Sequence, residues 1–368
     1  MRKFLWMHFY LCGCLATLLI CTACTGTTTP SFPLEEKWRF ETSDLYDIAV
    51  DSNDKYVVAI GKPAYVLNAE TGSLVQKIQP NRSDGTAEAA LFDDAVMLAD
   101  GDRIATYHLP DGEMLWEYQS ELGWIDFPLL GRMPEVDWEI YAYSDYAYID
   151  EQPLGIRILD AKTGKLLWDK RYLRVDPLRD GDTLYITGVS EFNAHDISNG
   201  DRRWEGKFSI YRGYAHNGIA YGGYITTGES EDEFTYSVSA YDLEKRTLVW
   251  RTKMSRNIDK IVGDDRRVFV LTMYGVFCID AQTGQILWRQ AVQRGNDIVM
   301  MGERVYINEF DTMRLLCFEQ ATGADCGKEK MEGIPIFLQF AGYRMEGNEH
   351  FLYVLCGKIL RAYGAKQP

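Results

Sequence analysis

Ile158-Leu159-Asp160-Ala161-Lys162-Thr163-Gly164-Lys165-Leu166-Leu167-Trp168 returns almost step for step as Cys278-Ile279-Asp280-Ala281-Gln282-Thr283-Gly284-Gln285-Ile286-Leu287-Trp288. Each copy reads as two short strands around a tight turn, with a tryptophan closing the second strand. Tryptophans at 116, 168, 204, 250 and 288 close hairpins of this design, 36 to 52 residues apart. A unit of that length cannot bury its own apolar face, so the repeats must stack on one another.

Each unit has a recognisable internal order. In the one ending at Trp288, Asp259-Lys260-Ile261-Val262 leads into the turn Gly263-Asp264-Asp265. Val268-Phe269-Val270-Leu271, Val276-Phe277-Cys278-Ile279 and Ile286-Leu287-Trp288 follow as further strands. The tight turns carry Gly72, Gly112, Gly164, Gly200, Gly284 and Gly323, which supply a positive φ without a Cβ clash. The turn at Glu244-Lys245-Arg246 has no glycine and is expected to be looser or differently built. Gln76 fills the tryptophan position in the first unit and Gly327 in the seventh, and the spacings from 76 run 40, 52, 36, 46, 38 and 39.

The chain ends inside a unit. Phe351–Leu355 and Ile359–Tyr363 supply a second and a third strand, with no tryptophan strand after them. The missing strand stands at the other end, where Leu34-Glu35-Glu36-Lys37-Trp38-Arg39-Phe40 precedes the first complete unit. Pairing it with the last unit closes a ring and removes both exposed sheet edges. The expectation is an all-β fold, an eight-bladed β-propeller of four-stranded antiparallel blades, formed by a single domain over residues 34–368. The 344 residues after Cys24 then give 43 per blade. Ile334-Pro335-Ile336-Phe337-Leu338-Gln339-Phe340 is expected as the innermost strand of the last blade.

Residues 1–24 read as a targeting segment, with Arg2 and Lys3 ahead of a mostly apolar run from Phe4 to Ile20. The uncharged stretch Thr25-Gly26-Thr27-Thr28-Thr29-Pro30-Ser31 supplies no basic stop-transfer flank and, as residues 25–33, serves as a tether. Removing residues 1–24 moves the net charge from -15 to -17, since Arg2 and Lys3 are the only charges lost. That balance disfavours nucleic acid, whose binding depends on neutralising phosphates with Lys and Arg.

Four cysteines remain beyond Cys24, at 278, 317, 326 and 356, with no CxxC pair and no zinc spacing. Cys317 and Cys326 flank one turn and would face each other across its hairpin, which admits a disulfide in an exported chain. Packing as small apolar side chains explains them equally well.

The Ala-x-Thr-Gly-x-x-x-Trp hairpins at Ala161–Trp168 and Ala281–Trp288 resemble the repeat of the pyrroloquinoline-quinone (PQQ) type β-propellers. Degraded copies occur at 68–72, 109–116 and 197–204, so the likeness covers essentially residues 34–364. In that family the tryptophans pack between neighbouring blades, the role implied here for Trp38, Trp116, Trp168, Trp204, Trp250 and Trp288. The segment ending at Cys24 resembles a bacterial lipoprotein signal, which makes Cys24 the expected lipidation site. Together these features are similar to the lipid-anchored scaffold propellers of outer-membrane β-barrel assembly.

The same scaffold also serves PQQ- and calcium-dependent quinoprotein dehydrogenases, the enzymatic alternative. Their adjacent-cysteine pair is missing beyond the signal, and no loop shows a dense Asp/Asn set for a hard cation. Asp160, Asp196, Asp242 and Asp280 recur in register, as expected of residues that accept hydrogen bonds from their own turns. His108 and His195 fall in third strands, and His216 in the Tyr- and Gly-rich run 211–224, which could shape a pocket but is explained more cheaply by strand packing and turns.

Binding surface is expected from the longest units. Trp124, Phe127, Leu129 and Leu130 sit in an apparent loop insertion before Pro134. Glu231, Asp232 and Glu233 belong to an acidic run on another loop. The expected function is that of a monomeric, cofactor-free propeller, exported and anchored at the cell envelope, which binds protein or saccharide partners without catalysis.

Overall fold

Eight four-stranded antiparallel sheets follow one another along the chain. Numbered by position, blade 1 runs from the strand Asp47–Val50 to Leu74–Ile78, and blade 2 from Glu88–Phe92 to Met114–Gln119. Blade 3 runs from Asp137–Ala142 to Leu166–Lys170, and blade 4 from Asp176–Asp180 to Arg202–Gly206. Blade 5 runs from Tyr211–His216 to Thr247–Met254, blade 6 from Lys260–Gly263 to Ile286–Ala291, and blade 7 from Gly295–Met301 to Asp325–Lys330. Blade 8 takes Arg344–Gly347, Phe351–Cys356 and Ile359–Ala365 from the end of the chain and Leu34–Glu41 from its start. The computed structural model describes residues 31–366 apart from 46, 51–54, 80–87, 101, 110, 121–123, 128–130, 135–136, 143–144, 153–154, 173–175, 188–191, 209, 228–233, 332–343 and 348–349.

The closing pair is antiparallel, with Glu36 opposite Tyr363, Trp38 opposite Ala362 and Glu41 opposite Ile359. The ring is therefore an eight-bladed propeller closed by the N-terminal strand. The first described strand of blade 8 is Arg344–Gly347, and the segment 334–340 expected there lies outside the described residues.

Inner strands are apolar on both faces because each blade lies between two others. In blade 6, Val268 and Val270 pack with Val238, Ala240 and Trp250 of blade 5. The alternate residues Phe269 and Leu271 pack with Ile298, Val305 and Ile307 of blade 7. That explains the unbroken run Val268–Leu271, which a sheet with one wet face would have alternated. Fourth strands are outermost, and Thr247–Met254 duly keeps only Trp250 and Met254 buried.

The tryptophans join each blade to the next. Trp38, Trp116, Trp168, Trp250 and Trp288 donate their indole N–H to the carbonyls of Ala69, Ala161, Ile197, Ala281 and Gln320, at 2.7 to 3.0 Å. Each acceptor stands in the turn between the third and fourth strands of the following blade. Each ring also covers that turn's glycine, where a Cβ would stand 2.5 to 2.7 Å from the indole Cδ2. The glycines at 72, 164, 200, 284 and 323 have φ between +67° and +74°, so they answer to both backbone and neighbour.

Blade 5 meets the same demand differently. Its glycine-free turn stays tight, with Arg246 at φ 60° and the Asp242 carboxylate accepting from the Lys245 N–H at 2.7 Å. The Arg246 guanidinium then lies 5.5 Å from the ring centre of Trp204, the blade 4 tryptophan, as a cation–π pair.

Candidate functional site

Antiparallel blades divide their connections between two faces. Turns between first and second strands, and between third and fourth strands, lie on one face, called lower here. Turns between second and third strands lie on the upper face, as do the crossings from one blade's fourth strand to the next blade's first. The glycine turns under the tryptophans are therefore all on the lower face. The upper face carries the segments without a repeated structural duty.

A cleft of about 380 Å³ opens on the upper face across blades 5, 6 and 7, lined by Arg212, Asp259, Met273, Arg294, Gly295, Asn296 and Phe310. Arg212 is the second residue of blade 5's first strand, Arg294 immediately precedes blade 7's, and each is followed by glycine. Both take a left-handed backbone, with φ 51° and 53°. That conformation costs an L-residue roughly 1–2 kcal/mol, so the surrounding structure holds it in place. The glycines let the strand start tightly, since a Cβ on Gly295 would stand 2.7 Å from Leu271 Cδ1.

Each arginine is aimed by its neighbours. Arg212 Nη1 donates to the carbonyls of Ile258 and Asp259 at 2.9 and 2.8 Å, and lies 3.6 Å from the Asp259 carboxylate. Burial raises the Asp259 carboxyl above its ordinary range, against the opposing charge of Arg212. The Arg294 guanidinium rests 4.8 Å from the centre of the Phe310 ring and 3.5 Å from Asp311 Oδ1. Exposed Met273 and Tyr274 stand at the same rim, with Arg256 over the Tyr274 ring. Two cations, one carboxyl and apolar walls suit a peptide segment that carries an acidic side chain beside an aliphatic one.

The chain topology brings the described part of the Trp124 candidate segment to this same face. Trp124–Phe127 and Gly131–Pro134 form a two-stranded hairpin outside the eight blades. This replaces the expected loop by paired backbone, with Trp124 opposite Pro134 and Phe127 opposite Gly131. The hairpin lies in the crossing from blade 2 to blade 3, hence on the upper side of the ring. The candidates Leu129, Leu130, Glu231, Asp232 and Glu233 lie outside the described residues.

The carboxylates in register belong to the lower face and to their own turns. Asp160 Oδ1 accepts from the Thr163 N–H and hydroxyl at 2.8 and 2.7 Å, and Asp280 Oδ1 does the same with Thr283. Asp196 accepts from Ser198 and from Arg203, which holds its carboxyl down at about 2. A quinone held over calcium needs oxygen ligands from several segments at one point. These aspartates are spread over different blades and already engaged, so they do not fit that group. Among the described residues no three His, Cys, Asp or Glu side chains gather to hold a metal ion.

The histidines are likewise structural. His195 is buried, with Nδ1 3.0 Å from the Gly200 carbonyl and Nε2 2.8 Å from the Tyr172 hydroxyl. Burial lowers its pKa. His108 lies 2.9 Å from Asp111, and His216 is exposed at the end of its strand. Cys317 and Cys326 form a disulfide with Cα atoms 5.2 Å apart, while Cys278 and Cys356 are buried outside it. Residues 1–24, with Cys24, lie outside the described residues.

Sequence reasoning flagged the run 211–224 as able to shape a pocket but missed the partners that complete the cleft. Its signal was the repeated dipeptide Arg-Gly, at Arg212-Gly213 and Arg294-Gly295, where a first strand begins. Nothing in the dipeptides announces that blades 5 and 7 flank one opening.

The family model described as outer membrane protein assembly factor BamB matches residues 25–236 and 235–325. The outer membrane protein assembly factor BamB of Yersinia pestis is 24% identical over 189 residues, which are 46% of this chain and 47% of that protein. The match thus spans about half the length of that relative. The crystal structure of BamB from Moraxella catarrhalis shares the fold at TM-score 0.65 and 13% identity, over 90% of this chain and 99% of that one. A computationally designed protein, Ika8, reaches TM-score 0.68 at 12% identity, over 91% of this chain and 99% of its own. Sqt1 of Saccharomyces cerevisiae reaches 0.65 at 9% identity, over 92% and 100%. Identities this low carry the architecture and nothing about activity.

Proposed function

The chain belongs to the propeller family described as outer membrane protein assembly factor BamB, and on that footing we propose a non-catalytic binding scaffold of the cell envelope. Its working surface is the upper face, and its partners are proteins engaged in outer-membrane assembly. The observation that carries this reading is that the Arg212–Arg294 cleft and the Trp124–Pro134 hairpin share the one face free of blade-locking turns. Trp124, Phe127, Leu129 and Leu130, with the acidic Glu231, Asp232 and Glu233, are proposed to add contacts of their own chemistry to the partner.

Lipidation at Cys24 would tether the ring through residues 25–33 to the strand Leu34–Glu41. That strand starts at the lower face, since it runs antiparallel to Ile359–Ala365. The strand that follows the tether therefore starts on the face opposite the cleft.

Affinity capture from detergent-solubilised envelope tests the reading, using the wild-type chain and the double variant Arg212→Glu/Arg294→Glu. A stoichiometric protein partner should come down with the wild type and fall at least about ten-fold with the variant, as expected of central charged contacts. Equal recovery by both chains would refute the assignment of the cleft. The absence of any protein partner, with binding to saccharide instead, would refute the scaffold reading itself.

A further inference from the structure

The junction between blade 7 and blade 8 is built unlike the others. Blade 8 has no turn between its third and fourth strands, because those strands come from opposite ends of the chain. A tryptophan in the fourth strand of blade 7 would have no glycine turn to cover and no turn carbonyl to bond. Gly327 stands at that position, opposite Cys317 in the register where Trp288 stands opposite Cys278. The junction to the blade that joins the two ends of the chain thus lacks its tryptophan.

A disulfide occupies that place. Cys317 is buried in the cluster that joins the two blades, with Leu315, Tyr306 and Val299 from blade 7 and Leu352, Val354 and Tyr363 from blade 8. Cys326 packs against the same cluster. Phe32 and Leu34, at the start of the closing strand, complete it, with Phe32 edge-on to Tyr306 at 6.0 Å between ring centres. The closing strand therefore seats on a hairpin whose two strands are tied covalently. Cys278 occupies the same repeat position in blade 6, is a buried thiol, and faces Trp288 instead of a second cysteine.

We infer that the Cys317–Cys326 disulfide replaces the missing tryptophan as the lock of the closing junction, so that retention of the N-terminal strand depends on the oxidised state. Reduction by a dithiol transfers two electrons and two protons to the pair and leaves the dithiol as its own cyclic disulfide. The hairpin Arg314–Lys330 then loses its covalent tie, and the surface under Phe32, Leu34 and Tyr363 loosens. The strand Leu34–Glu41 opens from Ile359–Ala365 more often, while junctions held by tryptophans keep their pairing. In an oxidising compartment the ring would shut fully only after export.

Hydrogen exchange on the full chain tests this, before and after dithiol treatment, with thiol counting to verify that two further thiols appear. Amides of residues 34–41 and 359–365 should exchange about ten-fold or more faster after reduction, with those of 103–108 and 114–119 in blade 2 unchanged. The double variant Cys317→Ala/Cys326→Ala should match the reduced wild type with or without dithiol. Unchanged exchange at the closing strands in the reduced protein, or an equal acceleration in every blade, overturns the inference. So does a double variant whose closing strands exchange as slowly as those of the oxidised wild type.

Discussion

Trp38 covers Gly72. The indole of the N-terminal strand lies so close that a Cβ on Gly72 would stand 2.5 Å from its Cδ2, and its N–H donates to Ala69 at 3.0 Å. The two residues are 34 positions apart in sequence yet lie in blades 8 and 1, the last and the first of the ring. Beyond the seat of Phe32 and Leu34 on blade 7, closure therefore rests on the backbone pairing to Ile359–Ala365 and the indole on blade 1.

Turn glycines covered by an indole should tolerate alanine far less well than glycines that only need a positive φ. Gly284, at φ +74°, has Trp250 over it, whereas Gly181, at φ +59°, has nothing within 4 Å. Gly181→Ala should cost about 1 kcal/mol for its backbone conformation, and Gly284→Ala about 2–4 kcal/mol because overpacking adds to the same penalty. Urea unfolding midpoints of the two variants check the difference, and equal losses would contradict the lock.

Gln76 and Gly327 depart from tryptophan for different reasons and should respond oppositely to its restoration. Gln76 faces the turn glycine Gly112, and its Oε1 is buried without a hydrogen-bond partner. Gln76→Trp should therefore stabilise the protein by about 0.5–2 kcal/mol. Gly327→Trp, which has no turn to cover, should lower the melting temperature. Thermal unfolding of both variants decides the point.

Acid should weaken the lower face in two steps of known sign. His195 is held neutral by burial, with its pKa lowered in the folded state. The unfolded chain takes the proton first, so stability should fall as pH drops below about 6.5. His195→Gln should flatten that segment of a stability–pH curve. The turn aspartates 160, 196, 242 and 280 have lowered pKa values, that of Asp196 reaching about 2. Their contribution is complete above about pH 4 and is lost as pH falls toward 2. Asp196→Asn should remove part of this second loss.

The tryptophan hairpins made the ring legible from sequence because one residue type does the same work at nearly every junction. Even the exceptions were visible as exceptions, although their meaning was not. Gly327 looks like decay of the repeat until blade 8 is seen to lack the turn a tryptophan would cover. Of the two expectations for Glu244–Arg246, a looser turn or one differently built, the second holds for a related reason. A left-handed arginine substitutes for glycine there, and its cation compensates by lying over Trp204. Of the cleft only the run 211–224 stood out as a segment that could shape a pocket; Asp259 and Arg294 did not, because they come from other blades and only ring geometry makes them neighbours of Arg212. The insertion at Trp124 was visible as extra length, but its pairing into a hairpin left no alternation strong enough to read.

A photo-crosslinking residue placed in the native cell at Met273, on the rim of the cleft, against one at Leu287, exposed on a lower-face hairpin, tests the central claim most directly. A discrete adduct with an envelope protein from position 273, and none from 287, is the predicted result. Adducts from 287 with none from 273 would show that partners dock on the other side of the ring and would contradict the account.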